Sequence, residues 1–187
     1  MAEAVPARLP AGALTCPLPM ELTAQNIAAI GNRMMGQKYG WGGLYGQRDC
    51  SATMRDLFAP FGVWLPRNSA AQARSGGYLA LHGASAAERQ NEIVRLGVPF
   101  RTLICIKGHV GLYVGSYRGE PVFYHESWGV RRQMPDGRAG RLIIGRTVIT
   151  STSPGSERGD VPESVRLIHK IHGVSVLGKD WDQDVQQ

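Results

Sequence analysis

Apolar residues Ile27, Ile30 and Met34 recur at helical spacing within 22–35, and Gly36 stands where such a helix would stop. A Gly-rich loop, 36–46, follows and carries Tyr39, Trp41 and Tyr45. Beyond it Met54, Leu57, Phe58 and Phe61 fall at i, i+3, i+4 and i+7, the spacing of a second helix with one buried face. That helix places Cys50 at or within its first turn. Ser69 followed three residues later by Gln72, and Ser85 followed by Glu88, read as capping boxes that open two more helices, the second closed by Gly97. From Pro99 the pattern changes to β-branched and aromatic runs, which predict strands over 101–107, 109–117 and 121–127, broken at Gly108 and at 118–120. The second and third should pair as a hairpin. Further strands are expected over 142–150 and 165–171. Helices followed by antiparallel strands define an α+β class, with N-terminal helices packed on a central antiparallel sheet.

Composition narrows the classes. The chain has 187 residues, of which 43% are hydrophobic and 19% charged, which suits one domain with a single core. Residues 1–20 hold four prolines and read as a disordered, linker-like start; 21–178 read as one ordered domain, and 179–187 as a polar tail. No apolar run approaches the ~18–20 residues of a membrane-spanning helix. Three cysteines are too few, and odd in number, for a disulfide scaffold. The net charge of +6 suits an anionic partner, such as a bacterial cell wall. The basic residues are scattered, however, and neither a basic helical stripe nor a nucleic-acid-binding module is visible, so nucleic acid is not the expected partner. Residues 1–12 lack the apolar run of a signal peptide.

Cys50 is the residue richest in chemical meaning. A thiol at a helix N-terminus feels the positive end of the dipole, which lowers its pKa and favours a nucleophilic thiolate near pH 7. Its flanks Arg48, Asp49 and Ser51 are polar, which argues against simple burial. A nucleophilic Cys needs a base, commonly imidazole. His109 opens one predicted strand and His125 lies near the end of the next, so a hairpin can bring both to Cys50. Cys105, in the run Leu103-Ile104-Cys105-Ile106, reads as a small buried hydrophobe, and Cys16 as incidental. His169 and His172 make a weak metal-like pair with no third ligand beside it, and His82 reads as a loop residue. A thiol and two imidazoles suffice for acyl transfer, so neither cofactor nor metal is expected.

Four ordered blocks carry a resemblance. Tyr39-Gly40-Trp41-Gly42-Gly43, Asp49-Cys50-Ser51, Leu65-Pro66-Arg67 with Ser69 and Gln72, and Gly108-His109-Val110-Gly111-Leu112-Tyr113 resemble the NlpC-type cysteine peptidases of bacterial cell walls. The likeness runs from about Ile27 to about Ile149. It is greatest to the branch whose catalytic domain follows SH3-like barrels, which share the block Trp128-Gly129-Val130. The resemblance implies a papain-like fold and cleavage of the γ-D-glutamyl to diaminopimelate bond in peptidoglycan stem peptides, L-Ala-γ-D-Glu-diaminopimelate. It implies Cys50 as nucleophile, His109 as base and His125 as the orienting third member. Tyr39 would line the site and help hold the oxyanion. Asp49, Ser51 and Ser69 would recognise the free amino end of the substrate.

Each of the last group has a plainer structural reading: Asp49 as a partner of the helix dipole, Ser69 as a helix cap and Tyr39 as a packing aromatic. Ala52 stands where the family often has Gly, and no SH3-like barrel is present in these residues. A peptidoglycan amidase or acyltransferase on the same fold, or a non-catalytic cell-wall binding module, are the alternatives. The resemblance implies the cell envelope or periplasm, and the missing signal leaves recycling in the cytoplasm open.

Overall fold

The computed structural model describes residues 18–83 and 85–178. Helix α1 (Ala24–Met34) begins after Thr23, whose hydroxyl accepts the Asn26 N–H at 3.2 Å, and it buries Ile27 and Met34 as the spacing requires. Helix α2 (Cys50–Phe58) begins at the thiol itself, with Asp49 as its N-cap accepting the Ala52 N–H at 2.9 Å. A single turn, α3 (Ser69–Gln72), strand β1 (Gly77–Ala80) and helix α4 (Ala86–Leu96) follow. Then come β2 (Thr102–Ile106), β3 (His109–Tyr117), β4 (Glu120–Gln133), β5 (Ala139–Ser151) and β6 (Ile171–Val176). The protein is α+β: its helices pack on one six-stranded antiparallel sheet of order β1-β6-β2-β3-β4-β5.

Strand alternation explains how both faces of the sheet are used. Leu103, Val110, Leu112 and Tyr124 join Ile27, Met54, Leu57 and Phe58 in a cluster beneath α1 and α2. Their neighbours Ile104, Tyr113 and Phe123 point the other way, to Ile93 of α4 and to Ile168. Cys105 is buried, as the apolar run around it predicted.

Two expectations change. The α3 turn is capped by Asn68, which accepts the Ala71 N–H at 2.8 Å, so Ser69 and Gln72 do not form a capping box. Gln72 is instead fully buried, and its amide donates to the carbonyls of Ser51 and Pro66, both at 2.8 Å. The run 165–171 is not a strand: two short 3-10 turns, Glu163–Val165 and Leu167–Lys170, precede β6. Ile168 and Ile171 are both fully buried, and a three-residue step suits a 3-10 turn better than a strand. Strand β1, four residues long, carries too short a pattern to be read alone. The Ser85 and Glu88 capping box is present as expected, and β4 and β5 run longer than predicted. Cys16, most of the linker-like start and the polar tail lie outside the described residues.

Gln72 clamps the start of α2 to the segment that leads into α3. Gln72→Ala removes both buried hydrogen bonds and should lower stability in urea by about 2–4 kcal/mol. An unchanged unfolding midpoint would show that the clamp carries no stability.

Candidate active site

One cleft of about 970 Å³ is lined by Tyr39, Asp49, Cys50, Ser51, Ser69 and His109. His125 stands behind His109, fully buried, so the seven residues proposed from the sequence for catalysis, site lining and substrate binding lie at or directly behind this cleft. Helix α2 brings Cys50 and Ser51, β3 brings His109, and β4 brings His125.

The two imidazoles are joined by a hydrogen bond of 2.8 Å between His109 Nε2 and His125 Nδ1. His125 Nε2 in turn lies 3.0 Å from Thr150 Oγ1, whose hydroxyl donates to the Ser151 carbonyl at 2.9 Å. This chain has a direction. With its proton committed to the carbonyl, Thr150 Oγ1 accepts from His125 Nε2–H. His125 Nδ1 is then an acceptor and takes the proton of His109 Nε2–H. His109 is left with an unprotonated Nδ1, the form a general base needs. Burial depresses both imidazoles: His109 to about 4, against an opposing pull from Asp49, and His125 well below its ordinary value. Both rings are therefore neutral at pH 7, consistent with the direction of the chain.

Close approach of these strands requires a glycine. A Cβ on Gly111 would lie 2.5 Å from Phe123 Cδ2 and 2.9 Å from His125 Cβ. Phe123 also stacks on the His125 ring, with centroids 4.1 Å apart.

The thiol departs from expectation. Burial, reinforced by the neighbouring Asp49 carboxylate, pushes Cys50 up to about 11, outweighing the backbone N–H groups of Val110, Ser51 and Cys50 that favour its anion. The N-terminal position does not produce a resting thiolate, because burial is the larger effect. At pH 7 the Cys50 thiol and the His109 imidazole are therefore both neutral.

Asp49 is heavily engaged. Its Oδ1 accepts from Ala52 N–H, the Ser51 hydroxyl and Arg67 Nη1, and its Oδ2 from Gly42 N–H and Arg67 Nη2, the latter at 2.7 Å. Burial works against the carboxylate, but Arg67 and the Ala52 N–H hold its pKa below the ordinary value. Ser51 is buried and also accepts from Arg67 Nη1 at 2.9 Å. Arg67 therefore belongs to the site, a role its place in the motif Leu65-Pro66-Arg67 does not by itself reveal. Tyr39 packs against Trp128, centroids 5.7 Å apart, and burial together with nearby Cys50 and Asp49 raises its hydroxyl to about 12.

The model of the NlpC/P60 family matches residues 36–138, more than half of the chain. The chain belongs to that family. An NlpC/P60 endopeptidase from Photobacterium damselae subsp. piscicida is 28% identical over 90% of this chain and 42% of that one, with a TM-score of 0.76. An NlpC/P60 family protein from Bacillus cereus ATCC 10987 is 19% identical over 82% and 39%, with a TM-score of 0.50. The peptidoglycan hydrolase RipB from Mycobacterium tuberculosis is 17% identical over 83% and 65%, with a TM-score of 0.47. This NlpC/P60 chain spans less than half the length of the first two structures. No curated protein sequence matches it.

Two further histidines do not line the cleft. His172 Nδ1 lies 2.9 Å from the Tyr78 hydroxyl, and His169 lies 3.9 Å from Glu163. Among the described residues no group of three His, Cys, Asp or Glu could hold a metal, and no helix is long and apolar enough to cross a membrane. Glu126 is fully buried beside Thr147, and burial raises its carboxyl to about 7.

The raised thiol sets a pH profile. Below its pKa of about 11, alkylation of Cys50 by iodoacetamide should speed up about tenfold per pH unit from pH 6 to 9, with the label mapped to that residue. A plateau below pH 7 would contradict a neutral resting pair.

Proposed function

We propose that this NlpC/P60 chain is a cell-wall cysteine peptidase that hydrolyses the γ-D-glutamyl to diamino acid bond of peptidoglycan stem peptides. The observation that carries the reading is the directed chain behind the thiol: His109 Nε2 2.8 Å from His125 Nδ1, with Cys50 and His109 lining one cleft. Family membership and the likeness to an endopeptidase support it.

Catalysis begins from the neutral pair. His109 Nδ1 takes the thiol proton as Cys50 Sγ attacks the γ-glutamyl carbonyl carbon, so no free thiolate is required beforehand. The Cys50 backbone N–H at the start of α2 receives the developing oxyanion. The Tyr39 hydroxyl, which keeps its proton because its pKa is raised to about 12, can donate as well. Such donors are typically worth about 10²–10³-fold each. His109 then gives its proton to the leaving amine of the diamino acid, and water hydrolyses the thioester with His109 again as base. His125 and Thr150 keep the correct nitrogen forward throughout.

Ser69 borders the cleft and is not the cap of α3, which supports a substrate-facing role. Asp49 and Ser51 complete the proposed pocket for the amino end, with Arg67 as the group a substrate ammonium must displace or share.

The test is mass spectrometry of L-Ala-γ-D-Glu-meso-diaminopimelate incubated with the chain and with Cys50→Ala. Release of diaminopimelate by the wild type alone is expected; release by neither, from this peptide or from intact stem peptides, would overturn the reading. His109→Ala should also abolish turnover. Thr150→Val should cost about tenfold in kcat, the worth of one hydrogen bond in the transition state. An undiminished kcat would contradict its part in the chain.

A further inference from the structure

One wall of the cleft carries charge that neither the fold nor the catalytic chain uses. Arg131 of β4 and Arg141 of β5 are direct cross-strand partners, and both line the cleft. Like charges opposite one another in a sheet are destabilising. Lys170, from the 3-10 turn before β6, joins them in the lining and feels the repulsion of both arginines. Two other arginines of the same hairpin are neutralised: Arg132 reaches Asp160 at 3.2 Å, and Arg138 reaches Asp136 at 2.7 Å. Among the described residues no carboxylate pairs with Arg131, Arg141 or Lys170. The acidic residue that lines the cleft, Asp49, is already held by Arg67.

The arrangement is also built rather than loose. Gly129 allows β5 to approach closely, since a Cβ there would meet the Leu142 carbonyl oxygen. Arg141 Nη1 then donates to the Gly129 carbonyl at 3.1 Å, which fixes its guanidinium across the strand. Three cations from three elements thus converge on a cavity that also holds the thiol and its base.

We infer that Arg131, Arg141 and Lys170 form a carboxylate-binding subsite, which takes free carboxylates of the peptide while its scissile bond lies at Cys50. The inference rests on the peptidase reading and adds to it a preference: a stem peptide with free carboxylates over one whose carboxylates are amidated. A guanidinium pair suits carboxylate oxygens geometrically, and a carboxamide loses the charge that makes these contacts strong.

The experiment compares L-Ala-γ-D-Glu-meso-diaminopimelate with the same peptide carrying carboxamides at its free carboxyl groups. Binding is read by calorimetry on the Cys50→Ala chain, and kcat and KM on the wild type. The carboxylate peptide should bind at least tenfold more tightly, with the preference expressed in KM rather than kcat. Arg131→Gln with Arg141→Gln should bring the affinity ratio close to one, as should Lys170→Gln in part, without touching the β4–β5 pair. Arg138→Gln, away from the cleft, should leave the ratio unchanged. Equal affinities for the two peptides in the parent, or a ratio that survives in the folded double and single variants, would overturn the subsite. A preserved binding preference with no cleavage of either peptide would instead remove the peptidase reading and leave the subsite standing.

Discussion

The hydrogen-bonded line from His109 through His125 to Thr150 depends on the pairing of three strands. His109 belongs to β3, His125 to β4 and Thr150 to β5, and the two contacts of 2.8 and 3.0 Å exist only in this register. A slip of one residue would send His125 to the other face of the sheet. Gly111 is part of the same constraint, because the space a side chain would take there is filled by Phe123 and His125. The central sheet is therefore more than a support for the cleft: its register decides which ring nitrogen of His109 is left without a proton.

A second constraint lies at the start of α2. Asp49 caps the helix, ties the Gly-rich loop through Gly42 and anchors Arg67. These contacts hold Cys50 at one place in the cleft, but they also set a negative charge beside a buried sulfur. The thiol is consequently harder to ionise, and a neutral imidazole with a defined tautomer is the complement that such a sulfur needs. The same carboxylate thus positions the proposed nucleophile and adds to the burial that keeps its thiol protonated.

Much of this was legible in the residues. The helical spacing of Met54, Leu57 and Phe58 located α2 and hence Cys50, and the strand pattern after Pro99 located both histidines on adjacent strands. The site's second layer was harder to read. Thr150 looks like any strand residue, and its role exists only because β5 pairs with β4. Arg67 meets Asp49 across eighteen positions, and Gln72 meets Ser51 across twenty-one, distances over which spacing carries no signal. A position at a helix N-terminus does not by itself give a low thiol pKa, because burial, a property of the packed molecule, is the larger effect. The 3-10 turns before β6 were misread because alternating and three-residue patterns overlap in so short a run.

Nitrogen-15 NMR of the histidine side chains in the intact chain at pH 7 reads the tautomer of His109 directly. A neutral ring with its proton on Nε2 and a bare Nδ1 is expected, and the same form for His125. A proton on His109 Nδ1, or a charged imidazolium in the resting chain, would contradict the directed line from His109 to Thr150.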